Sequence, residues 1–175
     1  MPFVPTDYAP PHTYHFDKFL LEILSPKFAD QDFAAVTASA DDIRYVFGPT
    51  NEWPNSQMNF AENLADLTRH EKEFADRKAF AYAILSSDER RYLGCIYIKP
   101  IKSKIEDDLR KSLYDAQVFF WLDSVAKTSD LVQSILTKLQ IWLQEAWPFK
   151  AVVFPGRNIG WQEWELMAIT RSHFD

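Results

Sequence analysis

The chain has 175 residues, 47% of them apolar, 25% charged and 15% aromatic, and a formal net charge of −6. That length suits one domain with a substantial core, and the acidic balance argues against nucleic acid or an anionic membrane as a partner, since both attract basic surfaces. A single cysteine, Cys95, excludes an intrachain disulfide and fits a reducing compartment.

The start, MPFVPTDYAPPHTYHF, has neither a basic opening nor an unbroken apolar run, so no secretory signal is expected and the cytoplasm is the expected location. No apolar run approaches a membrane span. Residues 1–18 carry four prolines among aromatics and read as an extended arm. It is expected to pack over the domain, or a neighbouring subunit, through Phe3, Tyr8, Tyr14 and Phe16. His12 and His15 form a lone HxxH that needs further ligands before it argues for a metal, and none is expected. The remainder, 19–175, reads as one domain.

FLLEIL at 19–24 reads as a strand ended by Pro26, and residues 30–38 as a short helix with Phe33 and Val36 at helical spacing. A loop follows at 47–54. Asn59 and Glu62 have capping-box spacing, and Phe60, Leu64, Leu67 and Phe74 form the apolar stripe of a helix to about Arg77. His70 on that helix is expected in solvent. FAYAIL at 80–85 and YLGCIYI at 92–98 read as a hairpin, with Cys95 as a small buried hydrophobe. Residues 100–115 read as a charged, solvated connection.

From Ala116 to Asn158 the pattern is a βαβ unit: AQVFFWL, the polar loop DSVAKTSD, a long amphipathic helix, then KAVVFPGRN. Its loop-to-helix junction is where such units hold a phosphate, yet the loop has no glycine to bring backbone amides close. Trp142, Trp147 and Phe149 read as core or dimer-seam residues. Residues 159–174 read as a last helix, and His173 lies near its end. The predicted order is β-α-α-β-β-β-α-β-α, with no internal repeat.

This order, with Leu93-Gly94-Cys95-Ile96-Tyr97-Ile98, Val118-Phe119-Phe120-Trp121-Leu122 and Val152-Val153-Phe154-Pro155-Gly156-Arg157-Asn158, resembles the GNAT N-acetyltransferase superfamily over roughly residues 19–165. The strand ending in Trp121-Leu122 is similar to the branch that includes ribosomal-protein acetyltransferases. The resemblance implies an α/β fold with a mixed, largely antiparallel sheet flanked by helices, shortened at the C-terminus. It implies acetyl-CoA in a gap between the family's splayed fourth and fifth strands, with pantetheine pairing to the fourth. The pyrophosphate would sit on a helix N-terminus through a Q/R-x-x-G-x-G/A loop. The implied cofactor-binding residues are Trp121, Leu122, Lys127, Thr128, Ser129, Asp130 and Asn158.

The chain departs from the motif where Asp130 and Val132 replace small residues. A carboxylate at Asp130 would face the diphosphate, and its plainer reading is a cap, with Gln133, at the helix start. Glu165 stands where many members carry a Tyr general acid, and would serve only if an apolar setting raised its pKa. Asp123 and Tyr82 are candidate proton acceptors from an amine. Glu52 and Trp53 are candidates to hold that amine by charge and ring face; the plainer reading of Trp53 is a loop anchor. The implied activity is acetyl transfer from acetyl-CoA to a small amine or protein amine by direct attack, with a homodimer as the expected assembly. The alternative is a GNAT-like module that binds a ligand or partner without catalysis.

Overall fold

The structure, a computed structural model, describes residues 2–88 and 90–169. His173 and the end of the predicted last helix lie outside these residues. Among the described residues six strands form one sheet in chain order: β1 (Thr13–Phe16), β2 (Phe19–Ile23), β3 (Phe80–Ser86), β4 (Tyr92–Lys99), β5 (Ala116–Leu122) and β6 (Val152–Val153). All neighbours are antiparallel except β5 and β6, which are parallel. The helices are α1 (Ala29–Ala38), α2 (Ala40–Ile43), α3 (Phe60–Ala75), α4 (Leu109–Leu113), α5 (Ser129–Ala146) and α6 (Trp161–Ile169).

The central strands are apolar along their whole length because both sheet faces are covered. Alternate residues divide between two cores. Tyr82, Ile84, Ile96, Ile98, Val118 and Phe120 pack toward Ile135, Leu139 and Trp142 of α5. Ala81, Ala83, Cys95, Tyr97, Phe119 and Trp121 pack on the opposite side, with Val36 of α1 and Leu67 of α3. Gly94, at φ +155°, permits a close approach of β4 to β5, since a Cβ there would stand 1.9 Å from the Trp121 carbonyl oxygen.

Three expectations change. The arm is partly strand: Thr13–Phe16 pair with β2 through a tight turn at Asp17, whose φ of +48° an Asp tolerates. Tyr14 stacks on Trp142 at 4.9 Å, Phe3 on Phe149 at 5.2 Å, and the Tyr8 hydroxyl donates to the Ala146 carbonyl at 2.7 Å. The segment 100–115 is not wholly a solvated connection, because it contains α4. Asp108 caps α4 with its carboxylate buried, paired to Arg110 at 2.7 Å. The last predicted strand shrinks to two residues, because the chain turns at Phe154–Ile159, where Asn158 Oδ1 accepts from the Phe154 amide at 2.8 Å.

The Asn59–Glu62 capping box forms as expected, each backbone amide donating to the other side chain at 3.0 Å. The buried face of α3, however, is Asn63, Leu67, His70 and Phe74, while Phe60 remains 40% exposed. Polar Asn63 belongs inside because its amide donates to buried Asp32 at 2.8 Å. Asp32 also accepts from Tyr92, which in turn contacts Cys95, so Cys95 is buried against a polar network.

Candidate active site

β6 pairs with β5 only at Ala116↔Val152 and Gln117↔Val153. From Val118 to Leu122 the β6 side of β5 has no strand partner among the described residues. This splay opens toward the N-terminus of α5. There Thr128 is the N-cap: its Oγ1 accepts from the Leu131 amide at 3.1 Å. Asp130 is therefore a first-turn residue that complements the helix dipole, not the cap. The amides of Ser129 and Asp130 find no protein acceptor among the described residues, as expected at a helix start.

Arg157 crosses the splay. Its Nη2 donates to the Phe120 carbonyl at 2.6 Å, and its guanidinium lies 3.7 Å from the Phe120 ring centroid. Burial pulls this guanidinium down to about 10. N–H and C=O of one strand residue point the same way, so Phe120 and Leu122 present their backbone polar groups to the splay. Beside it is a cavity of ≈ 190 Å³ lined by Arg44, Trp121, Leu122, Lys127 and Arg157, among others.

A larger pocket, ≈ 380 Å³, opens on the α3 side of the sheet, lined by Phe47 and Trp53 of the loop, His70 of α3, Lys99 of β4 and Phe119 of β5. The Lys99 ammonium lies 4.3 Å from the Phe47 ring centroid, 5.5 Å from Tyr97 and 5.9 Å from Phe119. Burial, helped by Arg69, pulls it down to about 8. His70 packs on Tyr97 at 5.2 Å, and burial, with Arg69 and Lys99 near, holds its ring at about 3. It is neutral and inside, not in solvent as its position on a charged helix suggests.

No protein-family model matches the chain, and no curated protein matches its sequence. Solved structures do match. The ribosomal-protein-S5-alanine acetyltransferase from Vibrio fischeri aligns at TM-score 0.54 and 11% identity, over 77% of this chain and 68% of that one. RimL, a ribosomal L7/L12 alpha-N-protein acetyltransferase solved with coenzyme A, aligns at 0.55 and 12%, over 74% and 66%. A GNAT-family acetyltransferase from Bacillus anthracis aligns at 0.51 and 8%, over 76% and 66%.

The chain has the GNAT acetyltransferase fold.

In the GNAT frame β5 and β6 are the counterparts of the family's fourth and fifth strands, and the sequence-predicted residues distribute unevenly about the splay. Leu122, Trp121 and Lys127 line the smaller cavity, and Trp121 Nε1 donates to the Tyr97 hydroxyl at 2.9 Å. Thr128 and Ser129 stand at the helix start. Asn158 is engaged in its own turn through Phe154. Asp123 Oδ1 accepts from the Ala126 amide at 2.6 Å, which shapes the loop after β5. Trp53 lines the larger pocket, but exposed Glu52 does not.

Two of the catalytic candidates, Tyr82 and Glu165, line neither cavity. Tyr82 is fully buried on the α5 face, its hydroxyl donating to the Pro11 carbonyl at 2.6 Å, with burial holding its pKa above the ordinary range. It faces away from the larger pocket. Glu165 is exposed on α6, without the apolar setting a proton donor would need. Sequence patterns alone do not point to Arg157, Lys99 or His70. Arg157 sits in a segment that reads only as strand, and Lys99 ends a strand whose neighbours reveal nothing of the pocket.

Among the described residues no group of three His, Cys, Asp or Glu side chains is placed to hold a metal ion. No described helix is long and apolar enough to cross a membrane.

Proposed function

We propose that the protein is an N-acetyltransferase that moves the acetyl group of acetyl-CoA to an amine. The observation that carries the reading is the splay: β5 and β6 part after Gln117 and leave the edge of β5 open toward the start of α5. An extended pantetheine arm can pair with that edge as an added strand, its diphosphate meeting the first-turn amides and Lys127. Running back from Leu122, it brings the thioester toward Val118, roughly 13 Å on at ~3.3 Å per residue. On this reading acyl transfer occurs at the closed end of the splay, where Gln117 and Phe119 border the larger pocket. An amine in that pocket would attack the thioester directly. The chain's contribution is then positioning and release of the amine proton to solvent or a nearby base. A cytoplasmic setting and a homodimer are parts of this reading.

The competing reading, a GNAT-shaped module without chemistry, draws on Arg157, which occupies the edge that pantetheine would use. Calorimetric titration with acetyl-CoA and free CoA separates the two. Micromolar binding of either supports the transferase, and no binding below the millimolar range rejects it. Asp130→Gly should then tighten binding by removing a like charge, and Lys127→Ala should weaken it. Thiol release over a panel of amines reads the chemistry itself.

A further inference from the structure

We propose that the ≈ 380 Å³ pocket is a carboxylate-binding site, taking a small acid whose apolar body lies among Phe47, Trp53 and Phe119 and whose carboxylate meets the Lys99 ammonium. The argument is one of charge. Arg69 also lines the pocket, but it is paired to Asp66 and to Glu73, each at 3.3 Å. His70 is neutral, its ring held at about 3. Among the described residues Lys99 has no hydrogen bond or ion pair, and its ammonium lies against three ring faces. Ring faces offset part of the desolvation of an ammonium and leave its donors open. A half-buried cation with free donors, facing a cavity, is satisfied by an anion. A single uncompensated charge matches a monoanion better than a phosphate monoester, which carries nearly two.

The position gives the acid a second requirement. Lys99 pairs with Gln117 across β4 and β5, and Gln117 pairs with Val153 where the splay closes. The ammonium therefore belongs to the strand next to the closed end, about 4.8 Å away across the sheet. As a statement about the acceptor, this rests on the acetyl-transfer reading: the acceptor is an amine that also carries a carboxylate, the amine toward β5 and the acid toward β4. This reverses the expectation that loop 47–54 holds a cationic group through Glu52. Binding of the acid itself does not depend on coenzyme A.

The test uses the full chain and three probes that share a body: 3-phenylpropionate, 3-phenylpropionamide and phenethylamine, titrated by calorimetry. The acid should bind at least tenfold more tightly than the amide or the amine, and Lys99→Gln should abolish that preference with the thermal transition retained. A second measurement needs no variant. Affinity for the acid should fall as the pH rises through about 8, while that for the amide stays level. The titratable and charged groups facing Lys99 are Arg69, His70, Asp66 and Glu73 on α3 and Lys102 beyond β4. Failure of the acid to bind at millimolar concentration, an equal or tighter amide or amine, or a preference that survives Lys99→Gln and is level across pH 8 overturns the proposal. Acid binding without coenzyme A binding would sink the transferase reading alone; the converse would sink this one alone.

Discussion

At the residue scale, burial changes what a side chain is. His70 lies on a helix among charged residues, and its sequence neighbours suggest solvent. The fold turns it onto Tyr97, where the charged imidazolium loses its hydration. Its folded pKa, about 3, lies below the unfolded value of ~6.5, so the unfolded chain takes up a proton that the folded one refuses. The stability this group contributes is present above ~6.5 and is lost at ~1.4 kcal/mol per unit as the pH falls toward 3. Between pH 7 and pH 5 the loss should be about 2 kcal/mol, and His70→Gln should lack it. Urea midpoints for both proteins at the two pH values check this. Tyr82→Phe removes only the hydroxyl bond to Pro11 and should cost about 1 kcal/mol with acetyl transfer unchanged. A loss of turnover without a loss of stability would return Tyr82 to the catalytic candidates.

At the element scale, the α5 start and the splay answer to different forces. Thr128→Ala removes the cap of α5 and should cost about 1 kcal/mol in chemical denaturation. Arg157 acts on the strand edge instead. Its bond to the Phe120 carbonyl takes the place of a backbone partner that β6 does not supply. A ligand that pairs with β5 must displace it, so Arg157→Ala should tighten coenzyme A binding several-fold. Weaker binding in that variant would show that the guanidinium holds the ligand rather than blocks it. The capping box of α3 and the hairpin of β3 and β4 were legible because both are local patterns. The end of β6 was not, because its brevity follows from a turn closed by Asn158 and from the divergence of β5, neither of which is a local preference.

At the scale of the whole molecule, the N-terminal segment is part of the domain. β1 extends the sheet, Phe16 is buried, and Phe3, Tyr8 and Tyr14 cover the far end of α5 around Trp142 and Trp147. Removing residues 2–16 exposes this aromatic cluster, and burying one such ring contributes roughly 1.5–3 kcal/mol. The truncated chain should lose most of its cooperative thermal transition. An arm that merely lay over the surface would leave the transition within a few degrees of the full chain.

By itself the sequence determined the α3 capping box, the β3–β4 hairpin, the position of the βαβ unit and an element order that lacks β1, α2 and α4. These rest on periodicity and on neighbours a few residues apart, which the chain carries in any context. Only the tertiary structure decided which residues meet. It placed Tyr82 on the α5 face, seated Arg157 in the splay, and gathered Phe47, His70, Lys99 and Phe119 from four separate segments into one pocket. The physical reason is that charge and solvation depend on what lies within a few ångströms. For Lys99 those neighbours come from a loop and a strand that the sequence holds about 50 and 20 residues away.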